Sequence, residues 1–354
     1  MNENKREIEK DVNQRTETKL NSYPSSFSFH KDLIEDNLLT NVYVIFKSIY
    51  DELLLIYANE KNSIITYDLE SFKTKNEIIT KFYTDIVDLR HCFDKENKRD
   101  LIMVTAYEDV IQVWDINKIE CLTNISINNE DGCHIVSCFI NYNNNLNIFI
   151  TKRYSSVNPF LIYDIKGNKI KEINNSYKYI SIIKTYYSIK LNSTYILMIN
   201  NTIQSFDLNE NKEYHLYKND FKEQLFSDII IDDNDEITKL IGPYEKHIQI
   251  WNFHRGEKIC NIDLLLEDVN YKVNSFCNWN DRFYLISISL NSWENKNTII
   301  KLFDLEKKEI IKNLYNSENE IFHCIKKINN HSLGEALIIS TNNGKIKLLL
   351  PINK

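Results

Sequence analysis

A five-residue pattern occurs seven times along this chain of 354 residues, and nothing else in the sequence restricts the fold as strongly. Each copy begins with an aliphatic or aromatic residue and sets a large side chain three places later, usually with an acid or amide next. Ile64, Ile111, Phe160, Ile203, Ile248 and Ile300 lead to Tyr67, Trp114, Tyr163, Phe206, Trp251 and Phe303. A degenerate seventh copy leads from Ile346 to Leu349. Successive anchors stand 47, 49, 43, 45, 52 and 46 residues apart, a mean of 47. Two places beyond the anchor, six copies place Leu69, Ile116, Ile165, Leu208, Phe253 and Leu305.

Each copy reads as a β-strand, because its residues are β-branched or aromatic and its polar and apolar side chains alternate, as in Ile111-Gln112-Val113-Trp114. Five places before the anchor stands a turn former in most copies: Asn62, Asp109, Asn158, Asn201 and Gly344. These residues tolerate the left-handed backbone of a tight turn, whereas Lys246 and Thr298 break the rule. Two apolar runs precede every turn and a shorter one follows most anchors, which gives four strands per unit. A period of 47 lies near the roughly 40–50 residues of a four-stranded propeller blade. The pattern therefore predicts an all-β chain, a seven-bladed β-propeller of four-stranded antiparallel blades.

A propeller must hide its open sheet edge. The chain ends too soon after Leu349 for another strand, while Ser26-Phe27-Ser28-Phe29-His30 alternates polar and aromatic near the start. That segment is expected to be the outer strand of the last blade, closing the ring with an N-terminal strand. Residues 1–21, with five basic and five acidic side chains, are expected to form a flexible polar arm outside a single unit spanning 22–354.

Over residues 22–354 the pattern resembles the WD40 repeat family. The clearest copy is Val104-Thr105-Ala106-Tyr107-Glu108-Asp109-Val110-Ile111-Gln112-Val113-Trp114-Asp115, a strand–turn–strand unit that ends in Trp-Asp. Asp109, Thr105 and Trp114 match three positions that, in the family, join a His in a buried hydrogen-bonded network. The family's Gly-His pair is absent, and Trp251 is followed by Asn252. The resemblance implies a non-catalytic scaffold or adaptor within a larger assembly. It also implies that proteins or peptides dock on the face carrying the turn before the anchor strand. On that face the sequence places Tyr107, Arg153, Tyr154, Tyr244 and Trp293, residue types in which interface energy concentrates. Trp293 sits in the longest of these loops, which stretches one gap to 52.

Composition excludes other classes. A net charge of −7 speaks against a chain whose task is to grip nucleic-acid phosphates. Lys307, Lys308 and Lys312, or Lys326 with Lys327, read as solvated strand edges and turns. No run approaches the roughly 20 apolar residues of a membrane helix, and the first 21 residues hold no signal-peptide core. Seven cysteines form no regular framework, and most stand in apolar runs. Reduced, buried thiols in a cytoplasmic or nuclear protein are expected.

No catalytic signature, cofactor motif or metal site emerges. Cys133, His134 and Cys138 lack the paired loop spacing of structural zinc, and the acidic run 232–236 lacks the Gly and distant Glu of a calcium loop. Phe253-His254-Arg255-Gly256 resembles the Phe-Arg-Arg-Gly motif of phosphoinositide-binding propellers, but it directly follows an anchor and reads as a turn. The residues after Trp114-Asp115 and Trp251-Asn252 lack the Arg of ubiquitin-ligase adaptor propellers. A lipid-binding propeller and a propeller hydrolase are the rival readings.

Overall fold

The computed structural model describes residues 26–34, 38–107, 110–127, 135–152, 159–174, 181–200, 202–217, 228–231, 237–244, 247–263, 270–279, 282–290, 298–304, 307, 309–318, 320–330, 334–341 and 344–352. Among these, every regular element is a β-strand, and the strands form seven four-stranded antiparallel sheets. In chain order the first sheet holds Leu38–Lys47, Leu53–Asn59, Ser63–Asp68 and Lys73–Ile79. The second holds Ile86–Asp94, Arg99–Ala106, Val110–Asp115 and Glu120–Ser126. The third holds Ile135–Tyr142, Asn145–Lys152, Phe160–Asp164 and Lys169–Ile173. The fourth holds Ser181–Ser188, Ser193–Asn200, Thr202–Asp207 and Lys212–Tyr217. The fifth holds Asp228–Ile231, Ile237–Tyr244, His247–Asn252 and Lys258–Asp263. The sixth holds Asn270–Trp279, Arg282–Leu290, Thr298–Asp304 and Glu309–Ser317. The seventh joins Phe322–Asn330, Gly334–Thr341 and Ile346–Pro351 to the strand Phe27–Ile34 from near the start of the chain.

All seven anchors lie in the third strand of their sheets, each opposite an aliphatic residue of the second. The pairs are Leu55 with Tyr67, Ile102 with Trp114, Ile148 with Tyr163, Ile196 with Phe206, Leu240 with Trp251, Leu285 with Phe303, and Leu337 with Leu349. Trp251, Phe303 and Leu349 are fully buried, Tyr67 and Phe206 buried, and Trp114 and Tyr163 half-buried. Burying a large apolar side chain completely is worth about 1.5–3 kcal/mol, so five of the seven anchors contribute to the core as buried side chains.

A second regularity sits at the same step. Between the anchor and the residue before it, the outer strand of every sheet carries one extra residue. These are Lys75, Leu122, Ile170, Tyr214, Ile259, Ile311 and, in the seventh sheet, His30. Such a bulge raises the local twist and bends the edge away from pairing with another chain.

The acid or amide after the anchor also has a physical role. Asp68, Asp115, Asp164, Asp207, Asn252 and Asp304 each accept backbone N–H groups of the following turn, at 2.8–3.2 Å. This side-chain turn satisfies donors that the strand leaves unpaired as the chain reverses. Asn62 and Gly344, expected turn formers, have φ of 57° and 69°. Phe253-His254-Arg255-Gly256 is one of these turns: Arg255 N–H donates to Asn252 Oδ1 at 3.0 Å, and Gly256 has φ 66°. A Cβ on Gly256 would meet the His215 ring at 3.2 Å.

The sheets pack through their first strands. Leu38–Lys47 lies against Ile86–Asp94, which lies against Ile135–Tyr142, which lies against Ser181–Ser188. Asp228–Ile231 lies against Asn270–Trp279, that strand against Phe322–Asn330, and Phe322–Asn330 against Leu38–Lys47. The fourth and fifth sheets meet in an aromatic cluster of Tyr186, Tyr195, Tyr217, Trp251 and Phe253, where Tyr217 OH donates to Phe253 O at 2.9 Å. Phe27 is buried with Leu302, Leu337 and Leu349, while Leu33 and Ile34 are buried with Leu55 and Ile338.

Of the three positions matching the family's network, Thr105 Oγ1 bonds Ser137 Oγ of the third sheet at 2.6 Å, Trp114 Nε1 donates to Gln112 Oε1 at 3.0 Å, and Asp109 lies outside the described residues. Among the thiols described, burial is lower than expected. Cys138 is buried, Cys92 and Cys260 half-buried, and Cys121 exposed on an outer strand whose alternate positions face solvent.

Candidate functional site

The strand directions give the molecule two functional ends. One carries the turns between second and third strands and the connections between sheets; it is called the upper end here. The lower end carries the hairpins between first and second strands and the turns after the anchors.

Of the five partner residues expected at the upper end, Tyr107 is placed there and is 53% exposed. Its N–H donates to Asp85 O at 2.9 Å, which seats the second sheet's turn on the segment arriving from the first. Tyr244 closes the second strand of the fifth sheet, its backbone opposite His247. Arg153, Tyr154 and Trp293 lie outside the described residues.

The segment under Tyr107 adds apolar side chains that the sequence reading missed. Tyr83 is 96% exposed and Ile79 75%, and Val87 is exposed at the start of the next strand. Thr80 Oγ1 donates to Asn62 O, which holds the segment to the first sheet's turn, while Phe82 turns inward onto the core of Ile56, Ile64 and Ile102. Phe82 is thus fixed while its neighbour Tyr83 stands in solvent. The adjacent aromatic pair Phe82-Tyr83 was the available signal.

At the lower end the first two sheets are tied by a buried polar group. Asp100 accepts from Ile49 N–H at 2.9 Å through Oδ2, and its Oδ1 stands 2.9 Å from His91 Nε2. The His91 ring stacks on Phe46 with centroids 3.5 Å apart. A buried carboxylate with partners on two sheets fixes their mutual setting.

At the lower end three hairpins, from the second, third and fourth sheets, enclose a cleft of about 420 Å³. Phe93, Phe139, Leu146 and Tyr186 form its apolar walls, and Asp94, Lys95 and Glu96 its rim. Asp94 is bound by Arg99 Nε at 2.9 Å and Asn97 Nδ2 at 2.8 Å. Burial opposes its ionisation, but these donors outweigh it and hold the carboxyl below the usual range. Burial, followed by Asp94 and Asp100, pushes the Cys92 thiol up to about 11, so it is a neutral thiol at physiological pH.

Among the described residues no group of three or more His, Cys, Asp and Glu side chains is placed to hold a metal ion. Cys133 and His134 lie outside those residues, as does the acidic run 232–236. Among them, too, no helix is long and apolar enough to cross a membrane. The sequence matches no protein-family model and no curated protein.

Proposed function

We propose that the seven sheets are the blades of one seven-bladed β-propeller closed by Phe27–Ile34, and that the chain is a non-catalytic scaffold which docks other proteins on its upper end. The propeller reading is supported by first strands in contact from the first sheet to the fourth and from the fifth through the seventh back to Leu38–Lys47, with the fourth and fifth sheets meeting in the aromatic cluster. It is supported equally by an outer-strand bulge that recurs at one step in all seven sheets. Both features accord with the resemblance to WD40 repeat proteins.

One observation carries the docking reading: Ile79, Tyr83, Val87 and Tyr107 are all exposed, on the segment that links the first two sheets and the turn bonded to it. Contiguous exposed apolar side chains mark interaction sites, and tyrosines on a rigid scaffold supply contact area at low entropic cost. The bonds Thr80 Oγ1 to Asn62 O and Tyr107 N–H to Asp85 O, which pin this segment to both sheets, supply that rigidity. In this reading the chain works inside the cell, where a scaffold of this kind meets its partners.

The test is proximity labelling with the intact chain and with a Tyr83→Ala, Tyr107→Ala double variant. Both residues are exposed, so the fold should tolerate the change within about 0.5 kcal/mol per site. A defined subset of neighbours should disappear with the variant. Identical neighbours for both proteins would refute this surface.

A further inference from the structure

The lower cleft has a chemical bias that the upper patch lacks. Its walls are apolar, and three hydroxyls that line it present acceptors. Thr185 Oγ1 donates its proton to Phe139 O at 3.0 Å, and Thr194 Oγ1 donates to Asn141 O. Tyr187 OH donates to Asn192 Oδ1 at 2.6 Å. Each hydroxyl has therefore committed its one proton to the protein and offers only lone pairs to a visitor. Asn141 Oδ1 is buried at the cleft with no hydrogen-bond partner, a placement that costs stability unless a donor arrives. At the rim Asp94 is already bound by Arg99, while Glu96 stands exposed beside Lys95. The field at Cys92 is negative, since Asp94 and Asp100 raise its thiol pKa while Lys95 opposes them.

The arrangement suits a side chain with an apolar stem and a head rich in donors. Guanidinium has five N–H donors and no acceptor, stacks on an aromatic face such as that of Phe93, and carries the charge that the exposed Glu96 carboxylate attracts. Its methylene stem can lie along Phe139 and Leu146. A volume of about 420 Å³ falls within the roughly 300–1,000 Å³ of ligand pockets and takes such a side chain with part of its backbone. We propose that this cleft is a second docking site, at the end opposite the tyrosine patch, which receives an arginine side chain from an extended segment of a partner protein. The site does not depend on the upper patch: its walls come from other turns of the second, third and fourth sheets.

The experiment uses fluorescein-labelled pentapeptide pools with Arg, Lys, Leu or Glu fixed at the centre and the flanking positions randomised. Binding to the full chain is read by fluorescence polarisation. The Arg pool should bind at least tenfold tighter than the Leu and Glu pools. Asn141→Leu removes the unpartnered acceptor and Glu96→Lys reverses an exposed rim charge. Each should weaken the Arg pool about tenfold, with a melting temperature equal to or above that of the unaltered protein. Tyr83→Ala should leave peptide binding intact, so failure of the upper docking surface is distinguishable from failure of this one. Equal affinity for the Arg and Glu pools, or full Arg-pool affinity in both cleft variants, would overturn the proposal.

Discussion

In the second sheet all four strands follow one another between Ile86 and Ser126, whereas the seventh draws three strands from between Phe322 and Pro351 and its fourth from Phe27–Ile34. The geometry is nevertheless shared. Trp114 faces Ile102 and Leu349 faces Leu337, and the outer strand bulges at the same step, at Leu122 in one sheet and His30 in the other. What differs is the turn. Asp115 accepts the N–H groups of Asn117 and Lys118 as the chain reverses into the fourth strand, but the seventh sheet has no such reversal and Leu350 stands at the matching position. The acid of the repeat therefore serves the turn, and the anchor serves the core. Where the turn is missing the acid is missing too, while the anchor's burial and the bulge persist.

Deleting residues 1–34 should have the largest effect on this comparison. It strips Phe27, Leu33 and Ile34 from the two clusters on either side of the seventh sheet and bares the edge of Ile346–Pro351. Loss of a single cooperative thermal transition is expected, with aggregation. A melting curve like that of the full chain would break the equivalence of the two outer strands.

Leu349→Ala should rank next. Leu349 is fully buried, so the cavity should cost about 2–5 kcal/mol in urea denaturation. Trp114→Ala should cost less than a buried Trp normally would, because Trp114 is half-exposed. A Leu349→Ala cost below 1 kcal/mol, under the expected range, would show that the degenerate copy is not an anchor.

Asp115→Ala removes a buried acceptor of two turn N–H groups and should cost about 1–3 kcal/mol. Leu350→Asp, which writes the acid into the seventh copy, should gain nothing, because no turn follows it. A stabilising Leu350→Asp would contradict the division of labour between acid and anchor.

Acid should separate the sheets most gently. Asp68, Asp94 and Asp164 are held below the usual carboxylate range. Burial opposes ionisation in each, but hydrogen bonds from Ser71, from Asn97 and Arg99, and from Asn168 and Lys166 outweigh it. A depressed folded-state pKa contributes stability that is present above the unfolded value near 4 and lost as pH falls through the folded one. The first three sheets should therefore loosen below about pH 4, and Asp164→Asn should remove part of that sensitivity. The melting temperature as a function of pH checks both.

The strands and anchors were legible because each is written in a few contiguous residues, and so was the pairing candidate Ser26-Phe27-Ser28-Phe29-His30, part of which lies in Phe27–Ile34. The bulges were not, since a bulge is a relation between two strands, and Leu122 or Ile259 looks like any strand residue by itself. At the upper end Tyr107 was visible as an aromatic beside a turn, whereas Tyr83 falls outside the repeated pattern. The lower cleft left no local trace: Phe93, Phe139 and Tyr186 converge from hairpins almost fifty residues apart. Expected partner residues Arg153, Tyr154 and Trp293 lie outside the described residues.

The most direct test of the ring is hydrogen–deuterium exchange on the intact protein, comparing the outer strands Glu120–Ser126 and Phe27–Ile34. The account predicts slow exchange in both, with Phe27–Ile34 and Ile346–Pro351 opening together. Rapid, unprotected exchange across Phe27–Ile34 beside a protected Glu120–Ser126 would contradict it.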